Sequence, residues 1–223
     1  MRPEKILILG GTREAAALAR DLTAQGLDVT TSLAGRTREP APVVGKVRIG
    51  GFGGPDGLAA YLKEERVTRV IDATHPFAKT ISANAVKACE MTGTPLEVKT
   101  RAAWTRQPGD NWIEVATLAA AASALPSGAR VLLALGRQYI DAFHDRRDCH
   151  FVIRMVDPPE QALPFASCEI LAAKPSANPD EEAALIRLHG ISHIVCRNSG
   201  GEGAYAKIVA ARMIGMPVIM VGR

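Results

Sequence analysis

KILILGGTREAAALARDLTAQG, residues 5 to 26, is the stretch that decides the fold. It opens on a short Ile/Leu run that two glycines stop, the pattern of a buried strand. Helix formers follow from Thr12, and Gly26 supplies a C-terminal stop. A strand apolar on both faces has to be covered on both faces, which a parallel sheet between helices achieves.

Working outward, the same alternation continues. LDVTTSLAG and GKVRIGGFGG read as a second and a short third strand, PDGLAAYLKEERV as a helix, and RVIDATHP as a fourth strand. FAKTISANAVKACEMTG is helical again and PLEVKTR is another strand. The rhythm then restarts. TLAAAASALPSG is an Ala-rich helix ending in a turn, and ARVLLALGRQYIDAF repeats the opening of the chain as strand, glycine, helix. HFVIRMV, CEILAAKPS, PDEEAALIRLHG, ISHIVCRNSGG, AYAKIVAARMIG and MPVIMVGR complete it. The expectation is an α/β protein of two Rossmann-like lobes with mainly parallel sheets. The lobes are expected to divide between Ala116 and Arg130, as residues 1–122 and 123–223.

Composition narrows the function. In 223 residues, 47% are apolar and 22% charged, which is ordinary globular material. No run approaches the ~20 apolar residues of a membrane span, and the opening residues carry no small-residue cleavage site. Cys89, Cys149, Cys168 and Cys196 form no CxxC pair, so reduced thiols in a cytoplasmic protein are expected. The five histidines show no metal-ligand spacing: His189 and His193 are four apart, but Gly190 intervenes at a helix end, and no metal is expected. A net charge of +4, with no basic run or RNA-binding signature, does not suit a nucleic-acid binder. It suits an anionic small molecule, or serves solubility alone.

Gly10 and Gly11 sit where the first strand hands over to the first helix, whose N-terminal N–H groups make a phosphate site. Against G-x-G-x-x-G the match is degraded: Thr12 holds the second glycine position, where its hydroxyl can reach a phosphate, and Ala15 the third. No acid closes the second strand. Arg36 with Thr37, helped by Arg38, is placed instead to grip a 2′-phosphate, which selects NADPH over NADH. The glycine cluster at 50–54, including Gly51 and Gly53, is either a tight turn or a backbone contact to the same ligand. At the end of the fourth strand come Asp72, Ala73, Thr74 and His75, in the crevice where open α/β sheets bind ligands. Pro76 holds His75 extended, so the imidazole either transfers a proton, touches a ligand or caps the next helix. Asp72 either orients it or satisfies backbone N–H groups.

ILGGTREAAALA, LAGRT, RIGGFGG, DATHPFA and RNSGGEGAYAKIVAAR, in that order and across almost the whole chain, resemble the precorrin-6A reductase family of cobalamin biosynthesis. The resemblance implies an NADPH-dependent reductase with an anionic tetrapyrrole substrate held in a cleft between two Rossmann-like lobes; a monomer is expected. Hydride passes to one double bond of the macrocycle and a proton to the neighbouring carbon, with His75 as candidate donor. It places Gly10, Gly11, Thr12, Arg13, Glu14, Arg36 and Thr37 at the nucleotide. Where the family has lysine, this chain has Arg197, ahead of Asn198, Ser199, Gly200 and Gly201. A role needing a lysine amine is therefore in doubt, and an electrostatic one is not. Arg101, Arg137, Arg197 and Lys207 are the expected cations for substrate carboxylates. The glycines at 200, 201 and 203 offer a second anion-binding turn, and Trp104 either faces the macrocycle or belongs to the core. Two other classes compete: a non-catalytic NADPH sensor and a small-alcohol dehydrogenase. The second needs Tyr-x-x-x-Lys, and neither Tyr61 with Lys63 nor Tyr205 with Lys207 has that spacing.

Overall fold

A computed structural model describes residues 4–35 and 42–223. The chain divides into two compact units, Met1–Arg101 and Ala102–Arg223.

The N-terminal unit is built from strands β1 (Lys5–Leu9), β2 (Asp28–Leu33), β3 (Lys46–Ile49), β4 (Arg69–Asp72) and β5 (Leu96–Val98). Helices α1 (Arg13–Ala24), α2 (Gly54–Glu64) and α3 (Lys79–Thr92) alternate with them. All strands are parallel, in the order β3-β2-β1-β4-β5. Because side chains alternate along a strand, β1 serves two cores. Leu7 and Leu9 pack with Val70, Leu58, Leu62 and Ala88 on one face. Ile6 and Ile8 pack with Ala15, Ala19 and Ile71 on the other. Each such side chain contributes about 1.5–3 kcal/mol on burial. The strand order reverses between β1 and β4, the point where sheets of this kind open a crevice beyond their strand ends.

The C-terminal unit holds β6 (Trp112–Val115), β7 (Arg130–Ala134), β8 (His150–Met155), β9 (Cys168–Ala172), β10 (His193–Arg197) and β11 (Val218–Val221). Its helices are α4 (Leu118–Ser123), α5 (Pro179–Leu188) and α6 (Ala206–Met213). The sheet is again parallel throughout, ordered β6-β11-β10-β7-β8-β9. Two features differ from the sequence expectation. The strand β6 lies in a stretch to which the sequence reading assigned no element, and it pairs with β11 through Val218 opposite Trp112. That pairing draws it into the second sheet, so the division falls at Arg101–Ala102 and not at 122. The helix expected after β7 is two short 3₁₀ turns, Arg137–Tyr139 and Asp141–Phe143, which tuck Ile140 and Phe143 into the core. The four cysteines are free thiols, three of them buried. Among the described residues no helix is long and apolar enough to cross a membrane.

Candidate functional site

In the N-terminal unit the site starts at the β1–α1 junction. A Cβ on Gly10 would stand 2.7 Å from Thr31 Cγ2 on the neighbouring strand, so only glycine lets the chain turn there without a shift. Gly11 follows at φ 101°, in the region that favours glycine. Thr12 caps α1: its Oγ1 accepts from the Ala15 N–H at 3.0 Å and donates to the Ala73 carbonyl at 2.9 Å. Its proton is therefore spent on tying α1 to the end of β4, and the hydroxyl is not the phosphate donor expected of it. What the junction offers an anion is the set of first-turn N–H groups of α1 and its dipole, brought close by side-chain-free backbone. A dinucleotide pyrophosphate fits that chemistry.

Beside this junction lies a cavity of 390 Å³ lined by Thr12, Glu14, Ala17, Leu18, Ala73, Thr74 and Arg101, with Asp21, Lys99 and Thr100. Glu14 and Arg101, expected at cofactor and substrate separately, form one ion pair here at 2.8 Å. Partial burial pushes the Glu14 carboxyl up, but its own backbone N–H and the Arg101 guanidinium outweigh this and hold it below the ordinary value. Arg13 is exposed.

Asp72 is 3% exposed and accepts from Thr74 twice, from its N–H at 3.1 Å and its hydroxyl at 2.6 Å. Of its two expected roles, the structure assigns it the satisfaction of backbone and hydroxyl donors. His75 Nδ1 accepts from the Phe77 N–H at 3.3 Å, and its carbonyl accepts from the Ala78 N–H at 2.7 Å. The imidazole therefore helps to shape the turn into α3, and this hydrogen bond places the proton of the neutral ring on Nε2. Thr74 lines the cavity; His75 is not among its lining residues.

At the end of β3, Arg48 donates to the Gly50 carbonyl at 2.6 Å and the Gly51 carbonyl at 2.9 Å, and lies 3.9 Å from the Phe52 ring centroid. Gly53, at φ 80°, turns the chain into α2. Gly51 and Gly53 thus belong to a loop that an arginine braces from within. Arg36, Thr37 and Arg38 lie outside the described residues.

In the C-terminal unit the Arg197–Gly201 turn is pinned to the segment that precedes β6. The Asn198 amide accepts from the Trp104 N–H at 2.7 Å and donates to the Trp104 carbonyl at 2.9 Å. Trp104 Nε1 donates to the Gly201 carbonyl at 2.7 Å. A Cβ on Gly200, at φ 65°, would overlap the Ala102 carbonyl oxygen. Arg223 donates to the Asn198 and Ser199 carbonyls, each at 3.0 Å. Asn198 and Trp104 therefore form a structural clamp, and Trp104 packs on the core with Tyr205 at 5.6 Å. Lys207 differs from expectation most. It is 4% exposed, donates to the Ala204 carbonyl at 2.6 Å and sits 5.0 Å from the Trp104 ring centroid. Burial pushes its pKa down, with Cys196 and Glu182 opposing. It is a packed cation, not one presented to a substrate. Arg137 is exposed in the turn after β7, and Arg197 stacks on Tyr139 with its guanidinium carbon 4.0 Å from the ring centroid.

Sequence reasoning missed Arg48, Tyr139 and Arg223, and the Lys99–Thr100 edge of the cavity. A basic residue one or two places from a strand end was the signal available for Arg48 and Arg223.

Comparison with known proteins gives the family. The precorrin-6x reductase CbiJ/CobK family model matches residues 5–223. A precorrin-6A reductase of Rhodobacter capsulatus is 47% identical over 98% of this chain and 88% of its own length. One from Rhodococcus erythropolis is 49% identical over 98% of this chain and 89% of its own. A cobalt-precorrin-6A reductase of Priestia megaterium is more distant, 30% identical over 98% of this chain and 90% of its own. A solved structure titled CobK precorrin-6A reductase superposes with a TM-score of 0.95 at 47% identity, covering 99% of this chain and 88% of that one. With two parallel α/β sheets, a glycine turn at the first strand–helix junction and a match over nearly its full length, the chain belongs to the precorrin-6x reductase family.

Proposed function

We propose that this chain reduces precorrin-6A with NADPH, as a monomeric cytoplasmic enzyme of cobalamin biosynthesis. The observation that carries the reading is the Gly10–Gly11–Thr12 junction, a dinucleotide-type turn in a chain nearly half identical to proteins named precorrin-6A reductase. Relatives named for the cobalt-containing substrate are more distant, which favours the cobalt-free one. Gly10, Gly11 and the first turn of α1 hold the pyrophosphate, with Arg13 and Glu14 alongside. Arg36 and Thr37 take the 2′-phosphate, since β2 ends in Leu33 with no acid to hold a ribose hydroxyl. Gly51 and Gly53 of the loop after β3, with Ala73 and Thr74 at the cavity, complete the cofactor contacts.

When bound, the reduced nicotinamide supplies hydride to a carbon–carbon double bond of the macrocycle. The chain's own work is positioning, charge neutralisation and proton supply. Arg101 in the N-terminal unit, and Arg137, Arg197 and the Ser199–Gly201 turn in the C-terminal unit, receive substrate carboxylates. Glu14 holds Arg101 in place. His75 in its imidazolium form donates the proton from Nε2 to the macrocycle carbon and is left as the neutral ring.

The test is an anaerobic single turnover that follows nicotinamide absorbance and the macrocycle spectrum together. Stoichiometric loss of NADPH with a matching chromophore change supports the reductase, and a much slower reaction with NADH supports the 2′-phosphate grip. NADPH binding with both spectra unchanged indicates a sensor. Conversion of cobalt-precorrin-6A in preference to precorrin-6A overturns the choice of substrate. For His75→Ala, the expected result is a turnover loss of about 10²–10⁴-fold with NADPH affinity retained; full turnover removes His75 as donor.

A further inference from the structure

Strands β7 and β10 are neighbours in the second sheet, with Ala134 opposite Cys196, so the residues just beyond them leave the sheet at one level. There the guanidinium of Arg197, the last residue of β10, lies over the Tyr139 ring at 4.0 Å from its centroid. The ring is held from below. Tyr139 packs against the cluster that contains Ile140 and Phe143. Its N–H bonds the Gly136 carbonyl at 2.9 Å, and its Cδ2 lies 3.4 Å from where a Cβ on Gly136 would stand. The turn and the core beneath it thus make the ring a fixed platform.

We propose that Tyr139 is a positioning residue for substrate binding: it holds the Arg197 guanidinium in the orientation that receives a carboxylate of the anionic tetrapyrrole. The inference rests on the reading in which Arg197 contacts the substrate. A guanidinium stacked on an aromatic face keeps its N–H donors in a plane parallel to the ring, so their fork is turned edgewise instead of into the face. Immobilising the side chain beforehand removes part of the ordering cost that binding otherwise carries. A freely rotating cation at the same place would attract the same charge with less geometric selection.

The experiment measures KM for precorrin-6A, kcat and NADPH Kd for Tyr139→Leu, Tyr139→Phe, Arg197→Met and the Tyr139→Leu/Arg197→Met double variant. Tyr139→Leu is expected to raise KM about 3- to 30-fold, the range of a cation–π contact, while kcat and NADPH Kd hold. Tyr139→Phe, which keeps the ring face, is expected to restore KM. On the Arg197→Met background, Tyr139→Leu is expected to add nothing, because its effect passes through the guanidinium. If the two effects multiply, or if Arg197→Met raises KM and Tyr139→Leu does not, Tyr139 is not the platform. If Arg197→Met itself leaves KM unchanged, the assignment of Arg197 to the substrate fails, and the inference about Tyr139 fails with it. Should Tyr139→Leu not fold, Arg197→Lys tests the same point: it keeps the charge and loses the flat stack, and a wild-type KM for it overturns the proposal.

Discussion

Replacing Glu182 with glutamine should cost the C-terminal unit a large part of its stability. Arg154 stands in the middle of β8, on the face it shares with Val152, and forms a two-pronged pair with Glu182 of α5. Nη1 meets Oε1 and Nη2 meets Oε2, both at 3.0 Å, with the two side chains 4% and 2% exposed. Oε1 also accepts from the Ser176 N–H at 2.8 Å, which anchors the loop leading into α5. Removing one charge leaves a buried guanidinium uncompensated, a change that costs about 3–5 kcal/mol. The lower end is expected, since a glutamine carbonyl still accepts from Ser176. At about 3–4 °C per kcal/mol for a unit of this size, that lower end drops the calorimetric transition of the C-terminal unit by roughly 10 °C. The double variant Arg154→Met/Glu182→Leu removes both charges and keeps apolar volume, so it should unfold at a higher temperature than Glu182→Gln alone. A shift under about 3 °C for the single variant, or a double variant less stable than the single, would refute the reasoning that burial sets the energetics of this pair.

Two further outcomes follow from the same physical account. Gly10→Ala puts a methyl 2.7 Å from Thr31 Cγ2, on a residue with no exposed surface, and should cost about 1–3 kcal/mol through forced repacking. It should also weaken NADPH binding by about tenfold or more in isothermal titration, and a wild-type affinity would show that the turn tolerates a side chain. Burial holds His193 below the usual histidine value of 6.5, and burial with the nearby Arg130 charge does the same for His150. The unfolded chain then binds these protons more readily than the folded one. Stability should be full above pH 6.5 and decline as the pH falls through the depressed folded values. Urea midpoints between pH 5 and 8 check this, and His150→Gln/His193→Gln should flatten the decline.

The alternation of strands and helices could be read directly from the chain because it rests on local chemistry. The Ile/Leu run of β1, the glycines that end it and the Thr12 cap each act within a few residues of one another. The Gly10–Gly11 turn was legible for the same reason. The division of the chain was not, because WIEV, though rich in strand formers, is only four residues long and does not say which sheet it joins; the edge of β11 receives it. Nor was Lys207, which the pattern near a strand end suggests is presented to a ligand. Whether α6 turns that position outward or inward depends on which face the sheet covers, and it covers Lys207 along with Ile208, Ala210 and Ala211. Asp72 shows the same limit on a smaller scale, since two roles fit its sequence and only the folded turn gives its oxygens to Thr74.

The amino-acid order was thus sufficient for what propensity, capping and periodicity govern: the α/β class, the nucleotide-type turn and the glycines that permit it. Partners brought together from distant parts of the chain had to await the fold. Arg154 with Glu182, Arg197 with Tyr139 and Trp104 with Asn198 are separated by 28, 58 and 94 residues. Which of the many polar side chains a buried or stacked cation meets is settled by strand order and helix rotation, quantities that no short window of sequence contains.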